Sequence, residues 1–321
     1  MKVAILGGGN VYALDLARHL HELGIQHFGI GRSPRKPPAF WVEHHYDYRA
    51  LHLRRERTAV MAVLDTEKPD IIVNYAAQGE GQASFGAYAP LFYETNTLAL
   101  VTLAEQLRSR DYLRHFVQIG TSELYGSTRE PATEDAPLKP SSPYAISKAA
   151  FDLHLQTMHA VGGFPANVVR PSNCVARGQQ LHRIVPKAII CALTGRRLPL
   201  HGGGTAEKSY LHATDLSRGV MAVIERGEKG LIYNCGPTDS IRIMYVVEMV
   251  AEACGVDSDT FVKVTADRAG QDSRYWLDSS RLRAIGWRPT IPLSEAISDM
   301  VAWVRSNPEI LTMSTDYSVR P

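Results

Sequence analysis

The sequence predicts an α/β protein: a doubly wound parallel sheet covered by helices on both faces, with a smaller mixed α/β substrate-binding domain. Three observations carry this. Short β-branched runs alternate with helix-period segments through the first half of the chain, as in sheets built from strand-helix-strand units. The first strand ends in three glycines that open a helix. Past Arg170-Pro171 the composition turns to glycine-rich and basic loops (Arg177-Gly178, Gly195-Arg196-Arg197, Gly202-Gly203-Gly204), which suits a lobe that grips a ligand.

The elements follow in order. Lys2 to Leu6 reads as a strand, and a helix follows over 13–23, where Leu16, Leu20 and Leu23 recur at helical spacing and Gly24 closes the segment. A second strand covers 27–30. A loop rich in proline and arginine separates it from Tyr46-Asp47-Tyr48. Pro69-Asp70 leads into the most apolar strand of the set, 71–75. A helix over 93–108 and a strand over 115–119 keep the same rhythm, and the strand-like run 231–235 rejoins the first domain. The expected division is therefore discontinuous: residues 1–172, rejoined by about 211–236, against 173–210 and 237–321.

Bulk composition excludes several classes. The 321 residues are 45% hydrophobic and 21% charged, an ordinary globular balance, and a net charge of +2 is too mild to argue for nucleic acid. No window reaches the ~20 uninterrupted apolar residues of a membrane span. Val3-Ala4-Ile5-Leu6 begins two residues after Met1 with no cleavage site, so the chain reads as cytoplasmic. Cys174, Cys191, Cys235 and Cys254 are far apart and form no metal or redox pair, so reduced buried thiols are expected. His44, His45 and His154 lack partners at metal-like spacing and read as surface or core residues; no metal site is expected.

A strand ending in Gly7-Gly8-Gly9 and running into a helix puts backbone N–H groups where a pyrophosphate can sit, the Rossmann arrangement. Asn10 and Ala13 stand where the second and third fingerprint glycines usually are. Asn tolerates the left-handed conformation and Ala is small, so Gly7, Gly9 and Asn10 remain candidates; a plain strand-to-helix turn also fits. At the end of the second strand an acid would meet a ribose diol, but the chain has Gly31-Arg32-Ser33-Pro34-Arg35-Lys36. Arg32, Ser33 and Arg35 can hold a 2′-phosphate through charge-assisted hydrogen bonds, which favours NADP(H) over NAD(H), although a solvated basic loop also fits. Asp47 with Tyr48, past the next strand, is placed to meet the adenine.

In Ser142-Pro143-Tyr144-Ala145-Ile146-Ser147-Lys148 the phenol and the ammonium lie four residues apart on one helix face. The positive charge, with that of a nicotinamide ring, favours phenolate and so makes a general base. Tyr-x-x-x-Lys occurs by chance in many helices. Chance is a poorer explanation here because the pair follows a strand ending in Thr121, whose hydroxyl can bond the same oxygen.

Thr121-Ser122-Glu123-Leu124-Tyr125-Gly126 with Tyr144 and Lys148 resembles the extended short-chain dehydrogenase/reductases of the NAD(P)-dependent epimerase/dehydratase family that act on nucleotide sugars. The string is most similar to that of the GDP-mannose 4,6-dehydratases, as are Ala76-Ala77-Gln78 and Gly29-Ile30-Gly31-Arg32-Ser33. In the second half the resemblance shifts to the dTDP-glucose 4,6-dehydratases: Arg170-Pro171-Ser172-Asn173, the loop from Asp267 to Tyr275, and Gly286-Trp287-Arg288-Pro289.

The resemblance implies dehydration of an NDP-hexose to the 4-keto-6-deoxy sugar by internal hydride transfer from C4 to C6. Tyr144 takes the O4 proton and Glu123 the C5 proton. Around the catalytic set Thr121, Ser122, Glu123, Tyr144 and Lys148, it implies cofactor contacts from Val11, Tyr75, Ala76, Ala77, Gln78, Asn96, Arg170 and Ser172. It implies substrate contacts from Ser84, Asn173, Pro186, Lys187, Lys208, Arg268 and Arg274. It also implies a homodimer through a four-helix bundle of the helices around 93–108 and 144–159, although Leu98, Leu103 and Leu107, or Phe151, Leu153 and Leu155, fit an internal core equally.

Two departures matter. Ser122 stands where dTDP-glucose dehydratases carry an aspartate, and Lys208 where the family usually has an arginine on the diphosphate. UDP-glucuronate decarboxylases share Thr-Ser-Glu, so decarboxylation and epimerisation stay open, as does a non-catalytic NADP(H)-sensing role. A decarboxylase needs a cation facing C6, and the sequence does not locate one. For Glu123 a carboxylate capping a loop is the alternative.

Overall fold

The structure is a computed structural model that describes residues 1–33, 40, 46–267, 272–317 and 319. The chain opens with β1 (Lys2–Leu6), α1 (Val11–Glu22), β2 (Gln26–Gly31), β3 (Asp47–Ala50), α2 (Arg57–Glu67) and β4 (Ile71–Asn74). It continues through α3 (Ala89–Tyr93), a π-turn (Glu94–Leu98), α4 (Ala99–Leu107), β5 (His115–Ile119), α5 (Pro143–Gly162) and β6 (Ala166–Pro171). The order of the first sheet is β11-β6-β5-β4-β1-β2-β3, where β11 is Ile232–Cys235, and every neighbouring pair is parallel. Strand order reverses between β1 and β4, which leaves a crevice at the carboxyl ends of the strands.

Local chemistry sets the ends of the two helices that matter most. The Asn10 side chain caps α1 by accepting from Tyr12 N at 3.0 Å. Ser142 caps α5 by accepting from Ala145 N at 3.2 Å, Pro143 occupies the first turn, and Gly163 ends the helix in the left-handed region at φ 65°. The expected helix over 93–108 starts earlier and contains the π-turn. That extra residue per turn turns Asn96 inward, where it accepts from Gln78 N (2.7 Å) and donates to Gln78 O (2.9 Å) and Ser147 Oγ (3.0 Å).

Two residues shape the sheet face beside β1. Tyr46 is 2% exposed, and its hydroxyl lies 2.1 Å from where a Cβ on Gly29 would stand and 2.5 Å from one on Gly8. The Tyr48 hydroxyl lies 2.7 Å from the same point on Gly31 and donates to Ser33 O at 2.6 Å. The strand Gly29-Ile30-Gly31 thus has no side chains on one face because two stacked tyrosine rings fill that face.

The second half adds β7 (Asn173–Val175), α6 (Ile184–Thr194), β8 (Leu198–His201), β9 (Glu207–Lys208), β10 (Tyr210–His212) and α7 (Ala213–Arg226) before β11. After it come β12 (Ile241–Arg242), α8 (Ile243–Cys254), β13 (Val262–Thr265), β14 (Arg274–Tyr275), α9 (Ser280–Ala284) and α10 (Leu293–Ser306). Helices α1 and α7 cover one face of the large sheet, and α2, α4 and α5 the other. A separate core forms among α6, α8, α10, β8 and β13. Among the described residues no helix is long and apolar enough to cross a membrane.

Asp215, fully buried in α7, ties this lobe to the sheet. It accepts from Thr290 N and Ile291 N, both at 2.9 Å, and from Thr290 Oγ1 at 3.0 Å, while its carbonyl accepts from Trp287 Nε1 at 2.8 Å. The Gly286-Trp287-Arg288-Pro289 string is thus a packing device, with Trp287 in the sheet core. Of the residues at the expected helix-pairing face, Leu103, Leu107, Phe151 and Leu155 are internal. Leu98 and Leu153 are 60% and 49% exposed. All four cysteines are free and buried, and burial pushes the Cys174 thiol up to about 12, which suits an inert filler.

Asp215→Ala leaves two part-buried backbone donors, Thr290 N and Ile291 N, without their acceptor, so a loss of about 2 kcal/mol in stability is expected. Chemical denaturation would measure it; a change within experimental error would mean that water replaces the carboxylate at no cost.

Candidate active site

Two cavities of about 830 Å³ and about 670 Å³ open at the carboxyl ends of the strands and share Asn10, Tyr75, Ala77, Gly79 and Arg183 in their walls. The smaller one receives the start of α1. Gly7 there has φ 71°, and a Cβ on it would lie 2.5 Å from Ala76 N, so no side chain fits between the two strand ends. Gly7, Gly9, Asn10, Arg32, Ser33, Tyr48, Tyr75, Ala76, Ala77 and Gln78 all line this cavity. Tyr75 Oη and Ser172 Oγ, on the wall of the larger cavity, are buried, and neither has a hydrogen-bond partner among the described residues. Backbone amides at a helix start, a glycine cradle and two orphan hydroxyls fit a dinucleotide.

Helix α5 presents Tyr144, Lys148 and Asp152 at successive four-residue steps. Lys148 is 2% exposed and donates to Ile119 O at 2.6 Å; burial lowers its pKa to about 8, opposed by Asp152. Asp152 is in turn held by Arg170 Nε at 3.1 Å. Burial pushes the Tyr144 phenol up, the nearby Glu123 adds to the rise, and the hydrogen bond with Thr121 and the Arg183 charge oppose it. The expected lowering by Lys148 is therefore not what the protein alone provides, because the ammonium is turned to the Ile119 carbonyl. Tyr144 is fixed through its backbone: Tyr144 N donates to Ser84 Oγ at 3.1 Å.

Glu123 follows Thr121 in the turn after β5, where Glu123 N donates to Thr121 Oγ1 at 3.3 Å. Burial raises its carboxyl to about 7; Arg183 and Lys208 oppose the rise, and Glu80 and Asp272 add to it. Across the cavity Lys208 donates to Asp272 O at 2.8 Å and lies 3.3 Å above the Tyr275 ring, and burial lowers its pKa to about 8. Ser127 Oγ (3.0 Å), Tyr275 Oη (2.7 Å) and Ser141 donate to the Asp272 carboxylate. Near the chain's end Tyr317 Oη donates to Gly79 O at 2.7 Å and its ring meets His182 edge-on.

The larger cavity gathers Thr121, Ser122, Glu123, Tyr144, Lys148, Ser172, Asn173, Lys187 and Lys208. Seven expected site residues lie outside both linings. Asp47 is the first residue of β3, at the far end from the crevice, and pairs with Arg49 at 2.9 Å; the residues at the near end are Leu51, His52 and Leu53. Arg170 is 1% exposed and committed to Asp152 and to the Tyr125 hydroxyl (2.8 Å) beneath the cavity floor. Arg274 donates to Glu207 Oε2 at 2.7 Å. Val11 packs against Ala176 and Ala213. Asn96 and Ser84 brace Gln78 and Tyr144 from behind, and Pro186 is buried within α6. Arg35 and Arg268 lie outside the described residues.

The sequence reading passed over a cluster between the two cavities. Glu80, in the loop after β4, has φ 86°, a left-handed conformation that is costly for a residue with a Cβ. Its Oε2 lies 3.2 Å from Arg183 Nη1 and 3.3 Å from His182 Nε2. A lone acid between two glycines and a basic pair ahead of a helix give no sequence signal. Asp272 and Tyr275 stand in the loop from Asp267 to Tyr275, which the sequence marks by resemblance alone.

A model of the NAD dependent epimerase/dehydratase family matches residues 3–236. The dTDP-glucose 4,6-dehydratase of Streptomyces griseus is 36% identical over 236 residues, which cover 73% of this chain and 71% of that protein. A trifunctional UDP-glucose 4,6-dehydratase/3,5-epimerase/reductase of Arabidopsis thaliana is 30% identical over 77% of this chain, which spans only 38% of that longer protein. The crystal structure of dTDP-glucose 4,6-dehydratase from Streptomyces venezuelae with NAD bound superposes with a TM-score of 0.87 at 26% identity, covering 96% of this chain and 98% of that one.

Raising the Glu123 carboxyl from 4.5 to about 7 means that the folded chain binds this proton more tightly than the unfolded one. The cost of the buried charge is absent below the lower value, grows through that window and is complete above the upper one. Glu123→Gln, neutral throughout, is expected to raise the thermal midpoint at about pH 8 and to leave it unchanged at about pH 4. Scanning fluorimetry at both values tests this; equal shifts would show that the carboxyl bears no such penalty.

Proposed function

The chain belongs to the NAD dependent epimerase/dehydratase family, and from that premise we propose that it dehydrates a nucleotide-diphosphate hexose to its 4-keto-6-deoxy derivative. One observation carries the reading: a carboxyl tuned to about 7, Glu123, shares a cavity with Tyr144, Thr121 and Lys148. Simple oxidation at C4 needs no such carboxyl. Proton removal from the carbon beside a ketone does, and a base is most effective when its pKa lies near the working pH.

A bound nicotinamide dinucleotide supplies the oxidation at C4 and the reduction at C6, and its positive ring favours the phenolate of Tyr144. The protein residues divide the proton transfers. Tyr144 accepts the O4 proton, with Thr121 bonded to the phenol; Lys148, in the same cavity wall, is assigned to the cofactor. The new ketone acidifies C5, and Glu123 takes that proton. The hydroxyl leaving C6 departs as water; Ser122, 4% exposed at the cavity wall, is placed to donate to it. Asn173, Lys187 and Lys208 are the groups we assign to the diphosphate, and the lobe around α6, α8 and α10 to the nucleotide.

Decarboxylation of a uronate would need a cation free to meet the C5 carboxylate. Arg183 lines this cavity but is already paired with Glu80, which speaks against that reading. For the cofactor we favour NADP(H), with NAD(H) as the alternative, because Arg32 and Ser33 line the smaller cavity at the end of β2. The exposed Leu98, Leu153, Ile146 and Tyr93 on α3 to α5 support a homodimer through these helices.

Incubation with dTDP-glucose, UDP-glucose, GDP-mannose and UDP-glucuronate, followed by mass spectrometry, separates the outcomes: loss of water supports dehydration, and loss of carbon dioxide refutes it. Glu123→Gln is expected to slow water release by at least ~100-fold while cofactor binding persists; full activity would remove the assigned role. Arg32→Ala should weaken NADP(H) at least ~10-fold more than NAD(H), the loss of one charge-assisted hydrogen bond to the 2′-phosphate. Equal weakening of both, by titration calorimetry, would end the 2′-phosphate argument.

A further inference from the structure

We propose that Glu80 is a positioning residue of this site: it holds the Arg183 guanidinium off the Glu123 carboxyl, so that Glu123 stays unpaired and able to take a proton. The inference rests on the reading of Glu123 as the C5 base.

The geometry offers Arg183 two carboxylates. One belongs to Glu80, at 3.2 Å from Nη1. The other belongs to Glu123, and it abuts the same loop, since a Cβ on Gly81 would come within 3.0 Å of Glu123 Oε2. The guanidinium is ion-paired with the first and not with the second. The loop accepts a left-handed Glu80 between Gly79 and Gly81 to achieve this. His182 Nε2 lies 3.3 Å from the same Glu80 Oε2.

The remaining charged and titratable groups facing Glu123 are otherwise engaged. Lys208 is bound to Asp272 O and to the Tyr275 ring, the Asp272 carboxylate collects three hydroxyls, and Tyr144 bonds Thr121. Arg183 is the cation whose choice of partner matters. A bidentate Arg183–Glu123 pair would convert the base into a spectator ion pair. The charges act in this direction: Arg183 lowers the Glu123 pKa and Glu80 raises it. A clamp that only joins the β4 loop to the turn before α6 would use the same contacts, so the test must read the state of Glu123.

The thermal gain from Glu123→Gln at about pH 8 provides that reading without substrate. It is to be measured in the Glu80 chain and in Glu80→Gln. We expect the gain to vanish or reverse sign in Glu80→Gln, because the freed guanidinium then pairs with Glu123, and to return in Glu80→Asp. With dTDP-glucose as probe, the acid limb of kcat should move down by about one pH unit in Glu80→Gln, a tenfold change in proton affinity, with KM altered far less. An unchanged gain in both backgrounds, or an unmoved limb with only a lower midpoint, would overturn the proposal and leave a clamp. Should Glu80→Gln not fold, Arg183→Gln tests the guanidinium itself: the charge that opposes the rise at Glu123 is then gone while Glu80 stays, so the gain should grow, and no growth overturns the idea. Absence of turnover with any sugar would defeat the proposed function instead, and the substrate-free comparison would still decide the role of Glu80.

Discussion

An ammonium group sealed inside a protein is costly unless something balances it. Lys148 is balanced by Asp152, one turn further along the same helix, and Asp152 is balanced by Arg170 from the adjacent strand, which leans on the Tyr125 hydroxyl, itself donating to Asn234. This chain of groups runs beneath the cavity floor and fixes the face of α5 that carries Tyr144. Much of what surrounds it follows: the strand end that supplies Arg170, the turn that supplies Tyr125, and the placement of β11 at the sheet edge through Asn234. Removing any member would leave a charge or a polar group buried alone.

How far the sequence could be read depended on whether function resides in a periodic or a special residue. The large sheet was legible because each of β1, β4 and β5 is an apolar run bounded by turn residues, and the catalytic turn and helix because Thr121, Glu123, Tyr144 and Lys148 stand in short strings with recognisable spacing. Helix α2 went unnoticed; its inward residues Val60, Met61 and Leu64 are few and are preceded by a run of charged residues. Asp47 was assigned to the adenine because β3 was placed too early. Asp47 opens β3 beside Phe28, below the carboxyl end of the strand that faces the crevice. Arg170 and Arg274 were assigned to ligands because both sit in resembling motifs, yet motif membership does not say whether a guanidinium faces a cavity or an internal carboxylate. The Glu80–Arg183 pair could not be foreseen, since its partners are over a hundred residues apart and neither lies in a pattern.

The two cavities meet at a wall made from the loop after β4, the turn before α6 and the segment that ends at Tyr317. Each side of that wall contributes a different property. The sheet side is rigid, because Asn96 from the π-turn holds both backbone groups of Gln78. The lobe side is anchored to the sheet through Asp215, through Trp287 and Leu282 in the sheet core, and through Arg281, which donates to Ile232 O at 3.0 Å.

The paired tyrosines over β2 have an implication for how this chain can vary. Tyr46 and Tyr48 occupy the volume that side chains at positions 8, 29 and 31 would otherwise fill. Neither partner in this exchange can change size by itself: a methyl group on the strand collides with a ring, and a smaller ring leaves a void against bare backbone. Reshaping this wall, by drift or by engineering, requires coordinated substitutions on β2 and β3, so its mutational landscape is a narrow ridge rather than a slope.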